Sequence, residues 1–358
     1  MKKFIAILLA IVMVMGLVAC GAKPAAKEDD GKIAKVGLCM PTKEQTIWTM
    51  QADRLEKALT AAGYEVLVEF AEDDSSRQAM QIENMISKGV DCLIIAAVDS
   101  FSLTESCEKA KEAGILVIAD DRAIQNTEAV DYYVTCDYFR LAQMQGEYIR
   151  DALDLENTTE TYTMEIFAGS PDDANSVLFH NGQMDILQKY IDEGKLVIKS
   201  GQTTAAECAT PSWDSAKAQS RCDNLLSGFY ADDHLDVALV TADCLAIGVI
   251  SSLESMGYGT ADNPFPIVTG QDCELAAIKN IKAGKQTMSV FIDGTLLAAK
   301  TVELLDSINA GSPIAPDSTT NNEVFDVPTM LYDPLPITAE NYTHLIEVGF
   351  YTDAEVNG

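Results

Sequence analysis

The 358-residue chain is short of positive charge: 25 Lys and Arg stand against 55 Asp and Glu, a formal net charge of −30. That balance repels phosphate backbones and anionic lipid headgroups, which excludes nucleic acid and a polybasic membrane patch as partners. Histidine is scarce, and His180, His234 and His344 are scattered singly, outside any catalytic or metal constellation. No loop of alternating oxygen ligands with its Gly and distal Glu is present, so no calcium loop of the EF type is indicated. Nine cysteines occur without one C-x-x-C pair, which indicates neither a zinc cluster nor a dithiol redox motif. Only Cys208 and Cys222 lie in a loop context where a disulfide is conceivable. Beyond residue 20 no run is long and apolar enough to cross a bilayer. No helical DNA-binding module stands ahead of Ile33, although βα lobes occur in regulators.

What is present begins with a leader. Lys2 and Lys3 precede an apolar run over 4–14, and Leu17-Val18-Ala19-Cys20 follows. Basic, apolar and small-residue regions in that order make a secretory signal over 1–20. Its end resembles the bacterial lipobox, which makes Cys20 the expected lipidation site. Two or more acyl chains at that residue would anchor stably where one does not. Residues 21–32 carry Ala, Lys, Asp, Gly and one Pro, a composition suited to a flexible tether.

From Ile33 onward apolar strand runs alternate with helical periodicity. Strands are expected at 33–39, 64–70, 92–97, 115–119 and 132–136, with helices at 48–62, about 75–89 and 103–113. The series restarts with a helix over 138–153 and a strand over 161–167, and continues to a helix over 295–310. Repeated βα units with right-handed crossovers give parallel sheets. The expected fold is therefore α/β, two Rossmann-like parallel-sheet lobes. The tail over 312–336 holds five prolines. It is too irregular for another βα unit and suits chain passing between the lobes. The N-terminal lobe is assigned 33–136 plus 293–326, and the C-terminal lobe 137–292 plus 327–358.

The stretch ILVIADDR, 115–122, concentrates the functional signal. A strand buried on both faces runs into Asp120, Asp121 and Arg122, and open α/β sheets bind ligands outside the carboxyl ends of their strands. Taken alone, these charges equally fit a surface ion pair. Other strand ends add Lys43 and Trp48, Asp173 and Asn175, Trp213, Asp243, and Asp272. Each acid by itself also fits a cap or turn. Their recurrence at equivalent ends of two lobes points to a cleft for a neutral polyol. Carboxylates and amides serve its hydroxyls, Arg donates in a fixed fork, and indole faces cover the C–H patches of a pyranose.

Seven stretches carry a more specific resemblance: VGLCMPTKEQTIW, QIENMISKGVDCLIIAAVDS, VIADDRAI, FAGSPDDANS, PSWDSAKAQSRCDNLLSGFY, AIGVISSLESMGYGT and VTGQDCE. Together they resemble the type I periplasmic sugar-binding proteins, the solute receptors of ABC importers. Within that group the chain looks nearest to the xylose-binding and multiple-monosaccharide-binding receptors. The resemblance implies two lobes joined by three crossings, expected near 136–137, 292–294 and 325–332. It implies an aldopentose or aldohexose held by Trp48, Asp121, Arg122, Asp173, Asn175, Trp213, Asp243 and Asp272, with Lys43 as a further cation at the cleft.

It further implies hinge closure without covalent chemistry, an ABC permease as partner, a monomer, and no cofactor, metal or catalytic residue. Localisation is extracytoplasmic, on the periplasmic side where the envelope has two membranes. Whether a chemoreceptor also reads the closed form stays open. Ile47 stands where relatives carry a basic residue, Ala174 where they carry Asn, and Phe291-Ile292-Asp293 where they carry Lys, so the ligand need not be theirs. Two rivals stand beside this reading. One is a receptor for a signalling furanose or a nucleoside. The other is a glycosidase using Asp172 and Asp173, although adjacent residues seldom flank a bond from about 5–9 Å apart.

Overall fold

The computed structural model describes residues 31–358. The expected signal, the lipidation site Cys20 and all but the last two residues of the tether lie outside them. The first lobe starts with β1 (Lys35–Met40), α1 (Thr46–Ala61), β2 (Glu65–Phe70), α2 (Ser75–Ser87) and β3 (Cys92–Ile95). It continues with α3 (Thr104–Glu112), β4 (Leu116–Asp120) and β5 (Tyr132–Cys136). Buried aliphatic side chains fill both faces of β3 and β4, as parallel strands covered by helices on each side require.

The second lobe is built from α4 (Tyr138–Ala152), β6 (Tyr162–Phe167), α5 (Asn175–Asp192) and β7 (Leu196–Val197). It then adds α6 (Ser215–Phe229), β8 (Val237–Val240), α7 (Asp243–Ser255), β9 (Ile267–Val268), α8 (Leu275–Lys282) and β10 (Met288–Phe291). Helix α9 (Gly294–Ala310) returns to pack on α1 and the first sheet. Strands β11 (Ser318–Asn321), β12 (Asp326–Tyr332) and β13 (Leu335–Thr338) follow, then α10 (His344–Glu347) and α11 (Asp353–Asn357).

The first sheet runs β11-β12-β5-β4-β3-β1-β2, the second β7-β6-β8-β9, with β10 and β13 pairing antiparallel. One boundary differs from the sequence reading. Asp326–Tyr332 belongs to the first sheet, parallel to β5 from Thr329 and antiparallel to β11. Pro328 made this stretch read as irregular, yet it sits just ahead of the first residue paired with β5, where its missing N–H costs no β5 ladder bond. The third crossing therefore lies between Tyr332 and Leu335, not within 325–332, and the lobe boundary moves with it.

The other crossings lie between Cys136 and Tyr138 and between Phe291 and Gly294. Each is closed by an aspartate N-cap: Asp137 accepts from the Arg140 N–H and Asp293 from the Thr295 N–H. The eight described cysteines are all free, so Cys208 and Cys222 form no bridge; both are buried and pack as small apolar side chains.

Candidate functional site

Strand ends from both sheets converge on one small cavity of about 40 Å³. Trp48, Asp121 and Arg122 come from the first lobe, and Asp173, Asn175, Trp213 and Asp272 from the second. Seven of the nine sequence candidates thus share one space. Two do not. Lys43 is exposed, its ammonium 5.0 Å from the Phe70 ring centre, and it does not line the cavity. Asp243 is buried behind the wall, accepting from Gln286 Nε2 (2.7 Å), Ser289 Oγ (2.8 Å) and the Glu274 N–H (3.0 Å). The strand-end rule locates a loop, but it does not give the direction in which a lysine stem or a buried carboxyl turns.

Tyr138, Phe179 and Gln271 also line the cavity, and the sequence reading did not select them. Tyr138 and Phe179 lie on helices, where an aromatic reads as core. Gln271 adjoins Asp272, and only its polar character beside that acid could have marked it. Its Oε1 is buried without a hydrogen-bond partner among the described residues, so an acceptor is free at the wall. Ile47, Ala242 and Cys244 supply the remaining apolar surface.

Arg122 ties the two lobes. Its Nη1 donates to the carbonyls of Ala97 (2.9 Å) and Val98 (3.2 Å), its Nε lies 3.1 Å from Asp173 Oδ2, and its plane faces Trp48 at 4.9 Å. The cleft is also bridged where the Ser100 N–H donates to the Asp172 carbonyl (3.0 Å) and the Ala174 N–H to Ser100 Oγ (3.2 Å). Asp172 is held by the Ser170 hydroxyl and is not among the cavity residues. Trp213 is edge-on to Phe179 at 6.2 Å. Its indole N–H eases the ionisation of Asp173 but makes no hydrogen bond of good geometry.

The backbone is strained where it meets the cavity. Asp121 (φ 62°), Ser212 (61°), Trp213 (52°), Asp272 (89°) and Cys273 (52°) are all left-handed without being glycine. Such positions cost about 1–3 kcal/mol each and gather at functional sites.

Burial dominates the electrostatics. It raises Asp121 to about 6, against the Tyr138 hydrogen bond and the Arg122 charge, which lower it. Asp173 is also raised by burial, with Arg122 opposing. Asp272 is pushed well up by burial and then by Asp243 and Glu274, toward the neutral acid that donates as well as accepts.

Asp243 is raised to about 8, first by burial and then by Glu274. An unfolded aspartate titrates near 3.9. Folding therefore binds a proton here between roughly pH 4 and 8. The contribution is fully present below that window and is lost as pH rises through it, at up to about 1.4 kcal/mol per unit. Urea unfolding at pH 5 and pH 8 should show the protein less stable at pH 8. The Asp243→Asn variant should lose less across the same interval, because its side chain cannot ionise. An equal loss in both proteins would remove Asp243 as a source.

Two parallel-sheet lobes closing on a polar cavity walled by indoles define a solute receptor of the hinged, two-lobed class. The chain belongs to the periplasmic binding protein family, whose domain model matches residues 36–313. Family and homologues are substrate-binding proteins and not enzymes. The chain is 42% identical over 343 residues to a multiple sugar-binding periplasmic protein of Azospirillum brasilense, covering 95% of each chain. It is 43% identical over 337 residues to a multiple sugar-binding periplasmic receptor of Rhizobium radiobacter, covering 93% of this chain and 94% of that one. Among solved structures it is similar to an ABC transporter solute-binding protein from Clostridium phytofermentans with bound β-D-glucose. That match has a TM-score of 0.86 and 40% identity, over 90% of this chain and 99% of the other.

Proposed function

We propose that this chain captures a neutral monosaccharide, an aldopentose or aldohexose, by hinge closure outside the cytoplasm and hands it to an ABC permease. The observation that carries the reading is one cavity lined together by three acidic side chains, Asn175, Gln271, Arg122 and two indoles. Hydroxyls need both donors and acceptors, which this set offers, and aromatic faces accept the C–H side of a sugar ring. Several hydrogen bonds of about 1 kcal/mol net each, some charge-assisted, plus stacking reach about 8 kcal/mol, or roughly micromolar affinity. Contacts from the second lobe to a sugar seated on the first favour the closed state. Lipid attachment at Cys20 would keep the receptor near its permease; the order of residues 2–20 supports it.

Charge decides among sugars. With Asp272 held toward its neutral acid, the cavity still sets two carboxylates, Asp121 and Asp173, against one guanidinium. A sugar acid or sugar phosphate therefore meets net repulsion that a neutral aldose does not. Isothermal titration with D-xylose, D-glucose, D-galactose, L-arabinose, D-ribose and L-fucose, beside glucuronate and glucose 6-phosphate, tests this. At least one neutral aldose should bind with roughly micromolar affinity, and its anionic counterparts at least about tenfold more weakly. Preference for the anions, or heat from none of the aldoses, would overturn the reading.

A further inference from the structure

Asp121 is held by more groups than any simple acceptor requires. Its main-chain carbonyl accepts from Tyr133 Oη (2.5 Å), Asn175 Nδ2 (3.0 Å) and Thr135 Oγ1 (3.2 Å). Its Oδ2 accepts from Tyr138 Oη at 2.5 Å. Oδ1 has no hydrogen-bond partner among the described residues, and the residue keeps surface on the cavity. The donors come from both sides of a crossing. Tyr133 and Thr135 lie on β5, Tyr138 opens α4 just past Asp137, and Asn175 opens α5. The Tyr138 ring is buried, edge-on to Phe179 at 4.9 Å, so its phenol is presented from a fixed base.

We propose that Tyr138 is a positioning residue: its phenol, given from the first turn of α4 beside the hinge, fixes which oxygen of Asp121 faces the ligand. This deepens the sugar reading above and rests on it for the identity of the ligand. With Oδ2 occupied and the backbone locked at φ 62°, Oδ1 is the oxygen left for a hydroxyl. The same bond favours the ionised carboxylate, against burial and Asp173, and alongside Arg122. The remaining titratable groups near Asp121 are Asp120, Asp272, Tyr133, Tyr332 and Cys136, and burial raises every one of them.

Tyr138→Phe keeps the ring and its packing and removes only the donor. In the sugar-free protein, 13C-carboxyl NMR titration of labelled aspartates should place Asp121 near 6, its signal identified by its loss in Asp121→Asn. The Tyr138→Phe protein should titrate about one unit higher. In titrations with whichever of D-glucose, D-xylose or D-galactose binds, Tyr138→Phe should weaken affinity about ten- to a hundredfold at pH 7.5 and move its acid loss to higher pH. In an Asp121→Ala background, which leaves the phenol no side-chain oxygen to orient, the same change should cost almost nothing. An unmoved Asp121 midpoint, or an equal cost in both backgrounds, would overturn the role. If none of the sugars binds, the ligand reading fails while the carboxyl titration still decides the role of Tyr138.

Discussion

Replacing Arg122 by alanine should lower ligand affinity by about a hundredfold or more, the largest loss expected from any single cavity substitution. The guanidinium is buried and makes four interactions at once: two main-chain carbonyls, the Asp173 carboxylate and the Trp48 face. Its removal leaves Asp173 buried without its cation. Breaking a buried pair in this way costs about 3–5 kcal/mol. Part of that falls on the contact between the lobes, because Arg122 and Asp173 lie on different lobes. Arg122→Lys separates charge from geometry. It restores a cation but not the fork that spans Ala97, Val98 and Asp173 together, so recovery should be partial. Calorimetric titration of the three proteins with a bound aldose checks the order: native first, Arg122→Lys second, Arg122→Ala last. Equal affinity of Arg122→Ala and the native protein would remove Arg122 from the site.

Why so much of this cavity was legible is a matter of strand ends. A strand buried on both faces must be apolar, so the first charges after it mark where the sheet stops. In 115–122 this placed Asp121 and Arg122 at the cleft directly. The same logic failed at Asp243, which follows β8 but opens α7 and turns inward to Gln286 and Ser289. It failed at Lys43 because a four-carbon stem can leave the cleft, and here it lies over Phe70. Tyr138 and Phe179 were hidden for the opposite reason. Each occupies a helical position where periodicity demands a core aromatic, and each satisfies the core while also facing the cavity. The β12 strand was obscured by Pro328, whose tolerance depends on which neighbour it would have bonded, a tertiary fact.

Gly169→Ala should disable the site without unfolding the protein. A methyl on Gly169 would stand 2.1 Å and 2.4 Å from ring carbons of Trp213 and 2.6 Å from Ser176 Oγ. Contacts that short cannot persist, so something must move. Ser176 cannot give way cheaply, since its hydroxyl donates to the Ser170 carbonyl and its N–H to that of Asp173. The Trp213 backbone is already left-handed, as is Ser212 before it, which leaves little room for adjustment along the chain. The indole is the remaining mobile part, and it lines the cavity. Overpacking of this kind typically costs about 1–3 kcal/mol in stability, which a domain of this size survives. A displaced indole, however, would intrude on the space proposed for a sugar ring, and affinity should fall about a hundredfold or more. The readout is direct, because the chain has two tryptophans, Trp48 and Trp213, and both line the cavity. Intrinsic fluorescence should respond to a bound aldose in the native protein and lose most of that response in Gly169→Ala, while far-UV circular dichroism stays unchanged. A variant that binds normally would mean that Trp213 is not held where Gly169 meets it.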